Sequence, residues 1–96
     1  MKIKTTKAFD KWLDKQDKAI RQRVVFRLVQ IKENGHFGDC KSVGKGVYEL
    51  RFHVPSGIRV YYGYRDTELI VVIGGGNKSS QQRDIDFAQK FFEMWK

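Results

Sequence analysis

The chain has 96 residues and a hydrophobic content of 41%, which suffices for one small domain with one core and not for two. Its 19 Lys and Arg residues outnumber its 11 Asp and Glu residues, so the net charge is +8, and we expect an anionic partner such as nucleic acid or an acidic protein. The single cysteine, Cys40, excludes an internal disulfide bond and a cysteine zinc site. We therefore expect neither a metal nor a cofactor, and we assign Cys40 no role.

The hydropathy pattern indicates the cellular compartment in which we expect the protein. The longest unbroken apolar run, from Leu69 to Ile73, is far shorter than the ~20 residues that span a bilayer. Residues 1–9 lack the apolar block of a signal peptide. We therefore expect a cytoplasmic protein with no membrane partner, and a free thiol suits that reducing compartment.

The first half of the chain predicts a short strand and two helices. Residues 1–5 resemble an edge strand, and Thr6 can cap a helix that begins at Lys7. The buried stripe of this helix would contain Phe9, Trp12 and Leu13. A second helix should run from near Asp17 to the stop signal at residues 34–35, and its inward residues would be Ile20, Val24, Leu28 and Ile31. Only a tight turn separates the helices, so we expect an antiparallel hairpin packed against a sheet.

The outer side of this hairpin is basic, and its charged residues are Lys7, Lys11, Lys15, Lys18, Arg21, Arg23 and Arg27. One interpretation is a solvated surface. The other is a docking surface for a phosphate-rich body such as ribosomal RNA, with Lys7, Lys11 and Lys15 as candidate RNA-binding residues. The next stretch, residues 35–46, contains four glycines, which predicts mostly loop with an exposed His36.

Residues 47–76 predict three antiparallel strands joined by two short turns. Period-2 alternation places apolar residues on one face and Glu49, Arg51 and His53 on the other. In the register that keeps apolar residues together, the pairs are Phe52 with Ile58, Leu50 with Val60 and Tyr48 with Tyr62. Arg51 then lies opposite Arg59. The loop would be Val54, Pro55 and Ser56, followed by a Gly57 able to adopt positive φ.

The same rule aligns the last two strands. The predicted pairs are Tyr64 with Leu69, Tyr62 with Val71 and Val60 with Ile73, which puts Gly74 opposite Arg59. The open face would then carry two arginines beside glycines, forming a cationic trough next to Tyr61. Either the arginines point into water or pair with Glu49 and with acidic residues elsewhere in the chain, or an anion occupies the trough. In the second case Tyr61 would stack against an unpaired base.

The chain should end in a helix. Residues 77–79 predict a turn, and Ser79 or Ser80 would cap the helix that follows. Its apolar residues cover about half of the circumference, and they are Ile85, Phe87, Ala88, Phe91, Phe92, Met94 and Trp95. This is more than one sheet face needs. The surplus would pack on the helix hairpin or be partly exposed for a partner protein.

The run GVYELRFHVPSGIRVYYGYRDTELIVVIGGGNKSSQQRDIDFAQKFFEMW, after a basic helix hairpin, resembles the RelE/ParE superfamily of bacterial type II toxins. The similarity is greatest to its HigB-like, phage gp49-like branch of addiction module killer proteins. The most specific segments are ELR, GIRVYY and GGGNKSSQ. The resemblance implies one α+β domain over residues 1–96, with the order β-α-α-β-β-β-α, an antiparallel sheet, an N-terminal helix hairpin and a C-terminal helix.

The resemblance also implies a function. Such a toxin binds the ribosome and cuts mRNA by attack of a ribose 2′-hydroxyl on the adjacent phosphate, until a cognate antitoxin, acidic or of the helix-turn-helix type, neutralises it. Operator DNA would be contacted only through the antitoxin. Carried over by position, Arg51 and Arg59 match residues that hold the phosphate, Lys78 matches a basic residue after the last strand, and Arg83 is a weaker candidate.

The acid and base depart from the family pattern. Active relatives commonly place Tyr or His near the start of the terminal segment, whereas this chain has neither after Tyr64. Tyr61 and His53 are the nearest candidates, and Asp84 is a third. The leading prediction is a ribosome-dependent endoribonuclease. The alternatives are a ParE-like, non-enzymatic poison of DNA gyrase and a basic nucleic-acid-binding module without toxicity.

Overall fold

Local capping signals set the ends of the first two helices. In the computed structural model, which describes residues 1–53 and 56–95, the Thr6 side chain caps helix α1 (Lys7–Asp14). Asp17 caps helix α2 (Lys18–Asn34) in the same way, and Gly35 ends it with φ of 69°. The predicted Thr6 cap, the helix start near Asp17 and the stop at residues 34–35 are confirmed.

Within the described residues, a five-stranded mixed sheet has the order β1-β5-β4-β3-β2. Its strands are β1 (Lys2–Thr5), β2 (Cys40–Gly44), β3 (Val47–His53), β4 (Ser56–Asp66) and β5 (Leu69–Gly76). The edge strand β1 pairs with β5 in parallel and the other neighbours are antiparallel, so the expected wholly antiparallel sheet is corrected at one edge. A 3₁₀ turn (Lys78–Ser80) leads into helix α3 (Gln81–Trp95).

The prediction of a loop over residues 35–46 is wrong in part, because Cys40–Gly44 forms β2. This strand pairs Cys40 with Leu50 and Lys41 with Glu49. The glycines delimit the strand instead of interrupting it: Gly38 lies before it, and Gly44 and Gly46 adopt positive φ at the turn into β3. The element order therefore contains one strand more than predicted.

The register between β3 and β4 is confirmed, including Arg51 opposite Arg59. The register between β4 and β5 is wrong by one to two residues, since Tyr62 pairs with Val72 and Arg59 pairs with Gly76. The ladder shifts between Tyr61 and Tyr62 and again near the β4–β5 turn. Such bulges insert a residue on one strand, which a strict alternation pattern does not reveal.

The predicted loop before Gly57 is only partly described. Val54 and Pro55 lie outside the described residues, and Ser56 already belongs to β4. Gly57 has φ of 88°, as predicted for that turn.

Helices cover both faces of the sheet. The hairpin α1–α2 buries one face, and the residues of this core include Phe9, Val24, Ile31, Leu50, Val60 and Tyr62. Helix α3 covers much of the other face, and the residues of that core are Val47, Tyr61, Val71, Ile73, Ala88 and Phe92. Of the two expectations for the surplus apolar surface of α3, partial exposure is the one that the structure supports, because α3 and the hairpin belong to separate cores. Phe87 and Met94 remain exposed at 49% and 81%.

A glycine lets α3 approach the sheet closely. A Cβ atom at Gly63 would lie 2.5 Å from Cε1 of Phe92, closer than any packed side chain permits. The Phe92 ring thus fills the space that a side chain on β4 would need. No helix within the described residues is long and apolar enough to cross a bilayer.

Candidate anion-binding and catalytic site

The face predicted to be open is covered by α3 around Glu49 and Tyr61. Tyr61 is 1% exposed and Glu49 is 0% exposed. The Tyr61 hydroxyl donates to Glu49 Oε2 at 3.0 Å, and Gln81, the first residue of α3, donates to the same oxygen at 2.9 Å. Burial, and then the Glu49 carboxylate, raise the pKa of Tyr61 far above its usual range. The predicted exposed position of Tyr61, available for stacking on a base, is therefore wrong.

Arg59 is largely covered as well. Its side chain is 14% exposed, with Nε 3.6 Å from Glu49 Oε2 and Nη1 donating to the Gly57 carbonyl at 2.8 Å. Arg59 Nε and Glu49 Oε1 are buried without a hydrogen-bond partner in the described part of the chain. Arg59 thus forms a buried ion pair with Glu49. Its predicted position on an open surface is wrong. Since the helix begins at Gln81, this pair marks the edge of the covered area.

Arg51 and His53 lie beyond that edge and share one carboxylate. Arg51 Nη2 is 3.0 Å from Asp39 Oδ1, and His53 Nε2 is 2.6 Å from Asp39 Oδ2. The side chain of His53 is 77% exposed and that of Arg51 is 37% exposed. The hydrogen bonds from His53 and then Arg51 hold the pKa of Asp39 below its usual range. We call these three residues the Asp39 cluster.

Arg27 fixes the segment that carries Asp39. Its guanidinium donates to the carbonyl oxygens of Phe37 at 3.1 Å and Arg51 at 2.9 Å, and it lies 4.3 Å from the centre of the Phe52 ring. The Arg51 N–H donates to the Asp39 carbonyl at 2.9 Å. Arg27, predicted on the basic outer surface, therefore ties α2 to the strand that holds the cluster.

Lys78 approaches the same end of the sheet from the 3₁₀ turn. The space beside Gly57 is bounded by Lys78, whose Cβ would be 3.7 Å from a Cβ at Gly57. At Gly76, opposite Arg59, a Cβ would collide with the Asp84 carboxylate and the Ser80 hydroxyl. Asp84 therefore lies over a glycine of β5, close to the buried ion pair.

The cap of the 3₁₀ turn differs from the predicted one. The Asn77 side chain accepts from the backbone N–H groups of Ser79 at 2.9 Å and Ser80 at 3.2 Å. Asn77, not Ser79 or Ser80, is the N-cap, and the turn continues into α3. The cap sets the direction in which Lys78 leaves β5.

Four of the remaining predicted site residues lie on α1, at its C-terminal cap, or on α3. Arg83 is exposed on α3, Lys7 and Lys11 are exposed on α1, and Lys15 is its exposed C-cap. No side-chain hydrogen bond or ion pair within the described residues joins these four to the Asp39 cluster. His36 is exposed, as predicted.

Asp39 is the functional candidate that the sequence did not reveal. It stands in the glycine-rich segment, and no periodic pattern or motif distinguishes it from a solvated loop aspartate. Only the unpredicted strand β2, which begins one residue later and pairs with β3, brings it opposite Arg51. Asp39 is one of five acidic residues in the basic first 46 positions, so composition gave no signal that singled it out.

This arrangement provides two chemical functions. Arg51 and Lys78 place partly exposed and exposed cationic groups at this end of the sheet, and such groups can bind an anion such as a phosphate. His53 can act as a general base, because a carboxylate that accepts from one ring nitrogen orients the other as a proton acceptor. Within the described residues, no group of three or more His, Cys, Asp and Glu side chains has the arrangement of a metal site.

A family model and one curated relative match most of the chain. The family model described as "Phage derived protein Gp49-like (DUF891)" matches residues 11–93. An uncharacterized protein of Haemophilus influenzae is 37% identical over 89 residues, which cover 93% of this chain and 90% of that protein.

Solved structures with the same architecture include two forms of RelE. The RelB–RelE antitoxin–toxin complex from Methanococcus jannaschii matches with a TM-score of 0.69 at 15% identity, covering 84% of this chain and 96% of that one. The isolated E. coli RelE toxin matches with a TM-score of 0.64 at 20% identity, covering 88% and 97%. At these identities the likeness shows the fold, so the expected RelE-like α+β fold is confirmed.

Proposed function

Because the chain belongs to the phage-derived Gp49-like family and has the RelE fold, we propose that it is the toxin of a type II toxin–antitoxin pair and stops translation by cutting mRNA on the ribosome. The observation that carries the proposal is the exposed His53, held by Asp39 beside Arg51 at the uncovered end of the sheet. The net charge of +8 supports an RNA-rich target. RelE structures solved with an antitoxin support a cognate antitoxin as the neutralising partner.

The chemistry assigns one role to each exposed group. His53 Nδ1 accepts the proton of the ribose 2′-hydroxyl while Nε2–H donates to Asp39. The 2′-oxygen bonds to the adjacent phosphorus, the bond from phosphorus to the 5′-oxygen breaks, and that oxygen takes up a proton from water, which leaves a 2′,3′-cyclic phosphate. Arg51 and Lys78 stabilise the charge that develops on the phosphoryl oxygens. The ribosome supplies the orientation of the mRNA, which accounts for a site that uses few groups of its own.

The test compares two histidine variants in cells. His53→Gln removes the proposed base, whereas His36→Gln alters an exposed histidine outside the Asp39 cluster. After induction, pulse labelling should show that wild type and His36→Gln stop protein synthesis while DNA synthesis continues. Loss of the base should lower the cleavage rate of a translated transcript by about 10²- to 10⁴-fold. Full cleavage by His53→Gln would contradict the assignment.

The same labelling distinguishes the second candidate function. The burial of Tyr61, together with the absence of Tyr and His after Tyr64, leaves few acid and base groups, which favours a ParE-like gyrase poison. In that case DNA synthesis would fall first and both histidine variants would remain toxic. Unaffected growth on overexpression would instead support a nucleic-acid-binding module without toxicity.

Arg59 is a poor position for a test of catalysis. An alanine there leaves the carboxylate of Glu49 buried and unpaired, which destabilises the fold whatever the function is. Arg51→Ala and Lys78→Ala are better variants, since both side chains are at least partly exposed. A matched control for the second is Lys90→Ala, an exposed lysine on α3.

A further inference from the structure

Helix α2 is apolar on its outer side as well as its inner side. Val24 and Ile31 are fully buried against the sheet, yet Val25, Phe26 and Val29 are 46%, 64% and 46% exposed. We call these three exposed residues the α2 outer face. Val29 follows Val25 by four residues and Phe26 by three, so the three side chains form a short contiguous stripe about one helical turn long. A stripe of this kind on a small basic protein is a candidate docking surface.

The α2 outer face lies where three grooves meet. A groove of about 460 Å³ between α2 and the end of α1 is lined by Leu13, Arg21, Gln22, Val25, Phe26 and Val29. Phe26 also lines the neighbouring grooves toward Arg23 and toward Arg27. The aromatic ring is therefore the central, most accessible element of a concave surface.

Charge selects the kind of partner. Helix α2 contains five basic residues and one acidic residue, Glu33. Arg21, Arg23 and Arg27 line the three grooves, and no acidic side chain lines any of them. The surface thus combines an apolar stripe with positive flanks, which complements a segment with an apolar face and negative flanks.

The contacts favour a protein helix over RNA. The guanidinium of Arg27 already donates to two backbone carbonyls, so it is not a freely mobile phosphate ligand. Val25 and Val29 have nothing to offer an RNA backbone, whereas they suit the apolar side of an amphipathic helix. The 17 residues of α2 extend over about 25 Å, the length of four to five helical turns.

We propose that the α2 outer face binds an acidic amphipathic helix of a partner protein, with Phe26 as the anchor in the apolar side of that helix. Arg21 and Arg23 flank its carboxylates and set its orientation. Only the source of the helix rests on the proposed function, which identifies it as the antitoxin. This surface is formed by α2 and the end of α1, and no residue of the Asp39 cluster lines its three grooves.

A synthetic peptide provides the direct test. The probe is a fluorescein-labelled amphipathic peptide with a leucine stripe and glutamates elsewhere, and binding to the full chain is followed by fluorescence anisotropy. Phe26→Asp should weaken binding by about 30-fold or more, the loss expected of an interface anchor. Phe87→Asp, which places the same charge at an exposed phenylalanine on α3, should bind as wild type does.

Three outcomes would overturn the proposal. These are the absence of saturable binding by the acidic peptide, equal binding of a peptide with lysines in place of glutamates, and a Phe26-dependent association of two copies in sedimentation. An RNA oligonucleotide that binds through Phe26 more tightly than the peptide would assign the surface to RNA. Val29→Asp tests the same surface if Phe26→Asp misfolds by circular dichroism. A chain that binds the peptide but leaves growth unaffected would remove the toxin proposal and keep this one.

Discussion

Arg51 and Arg59 lie directly opposite each other on neighbouring strands, and each is paired with a different carboxylate. Like charges opposite each other in a sheet repel. Asp39 at the sheet edge and Glu49 beneath α3 offset that repulsion, but in different surroundings: Asp39 is reachable from solvent, while Glu49 is fully buried. The two arginines therefore have separate roles, one at the proposed site and one in the interior.

The first prediction concerns the buried pair. Arg59→Met should lower the free energy of unfolding by about 3–5 kcal/mol, because it strands the Glu49 charge in the interior. Adding Glu49→Gln should recover part of this loss. Arg51→Ala breaks a partly exposed pair, so about 1 kcal/mol or less is expected. Urea denaturation of the single and double variants measures these free energies of unfolding. If the losses for Arg59→Met and Glu49→Gln simply add in the double variant, the two residues are not coupled.

The second prediction concerns acid pH. The pKa of Asp39 is lowered in the folded chain, so its stabilising effect is complete above the unfolded value of about 3.9 and is lost as the pH falls through the folded value. The melting temperature of Asp39→Asn should therefore depend less on pH than that of wild type below about pH 4. Thermal melts across that range provide the measurement. Parallel curves for the two proteins would be the contrary result.

The third prediction concerns alkaline pH. Burial raises the pKa of both Tyr61 and Tyr62, so the folded chain resists their ionisation while the unfolded chain ionises near pH 10. Stability should then fall as the pH rises above about 10, and Tyr61→Phe should reduce the slope of that fall. Tyrosinate absorbance and circular dichroism, recorded together, check whether these rings ionise only on unfolding. Ionisation of all four tyrosines in the folded state would refute it.

The fourth prediction concerns the packing of α3 against the sheet. Gly63→Ala places a methyl group against the Phe92 ring and should cost about 1–3 kcal/mol through overpacking. Gly74→Ala is the matched control, because its Cβ would find its nearest atom, on Phe87, 4.0 Å away. Denaturation midpoints compare the two. Equal midpoints would mean that Phe92 moves aside at no cost.

The sequence was most informative where one periodic pattern decided the structure. The cap at Thr6, the helix start near Asp17 and the register that opposes Arg51 and Arg59 follow from capping chemistry and alternation alone. The covering of the face that was predicted to be open could not be foreseen. Alternation tells which residues share a face, whereas the burial of Glu49 and Tyr61 depends on the path of a helix that begins only at Gln81.

Asp39 was missed as a site residue for the same reason. Asp39 meets His53 only because a five-residue strand forms between glycines, and local composition favoured a loop there. The β4–β5 slip arises from bulges, whose positions depend on which side chains fit against the helices on each face. Tertiary packing decided each of these points.

The two edge strands of the sheet are short, with four and five residues. Both carry exposed lysines, Lys2 and Lys4 on β1 and Lys41 on β2. A strand from another molecule would have to bring its own backbone against these charges to extend the sheet. The exposed lysines thus oppose strand-to-strand pairing between molecules at both edges of the sheet.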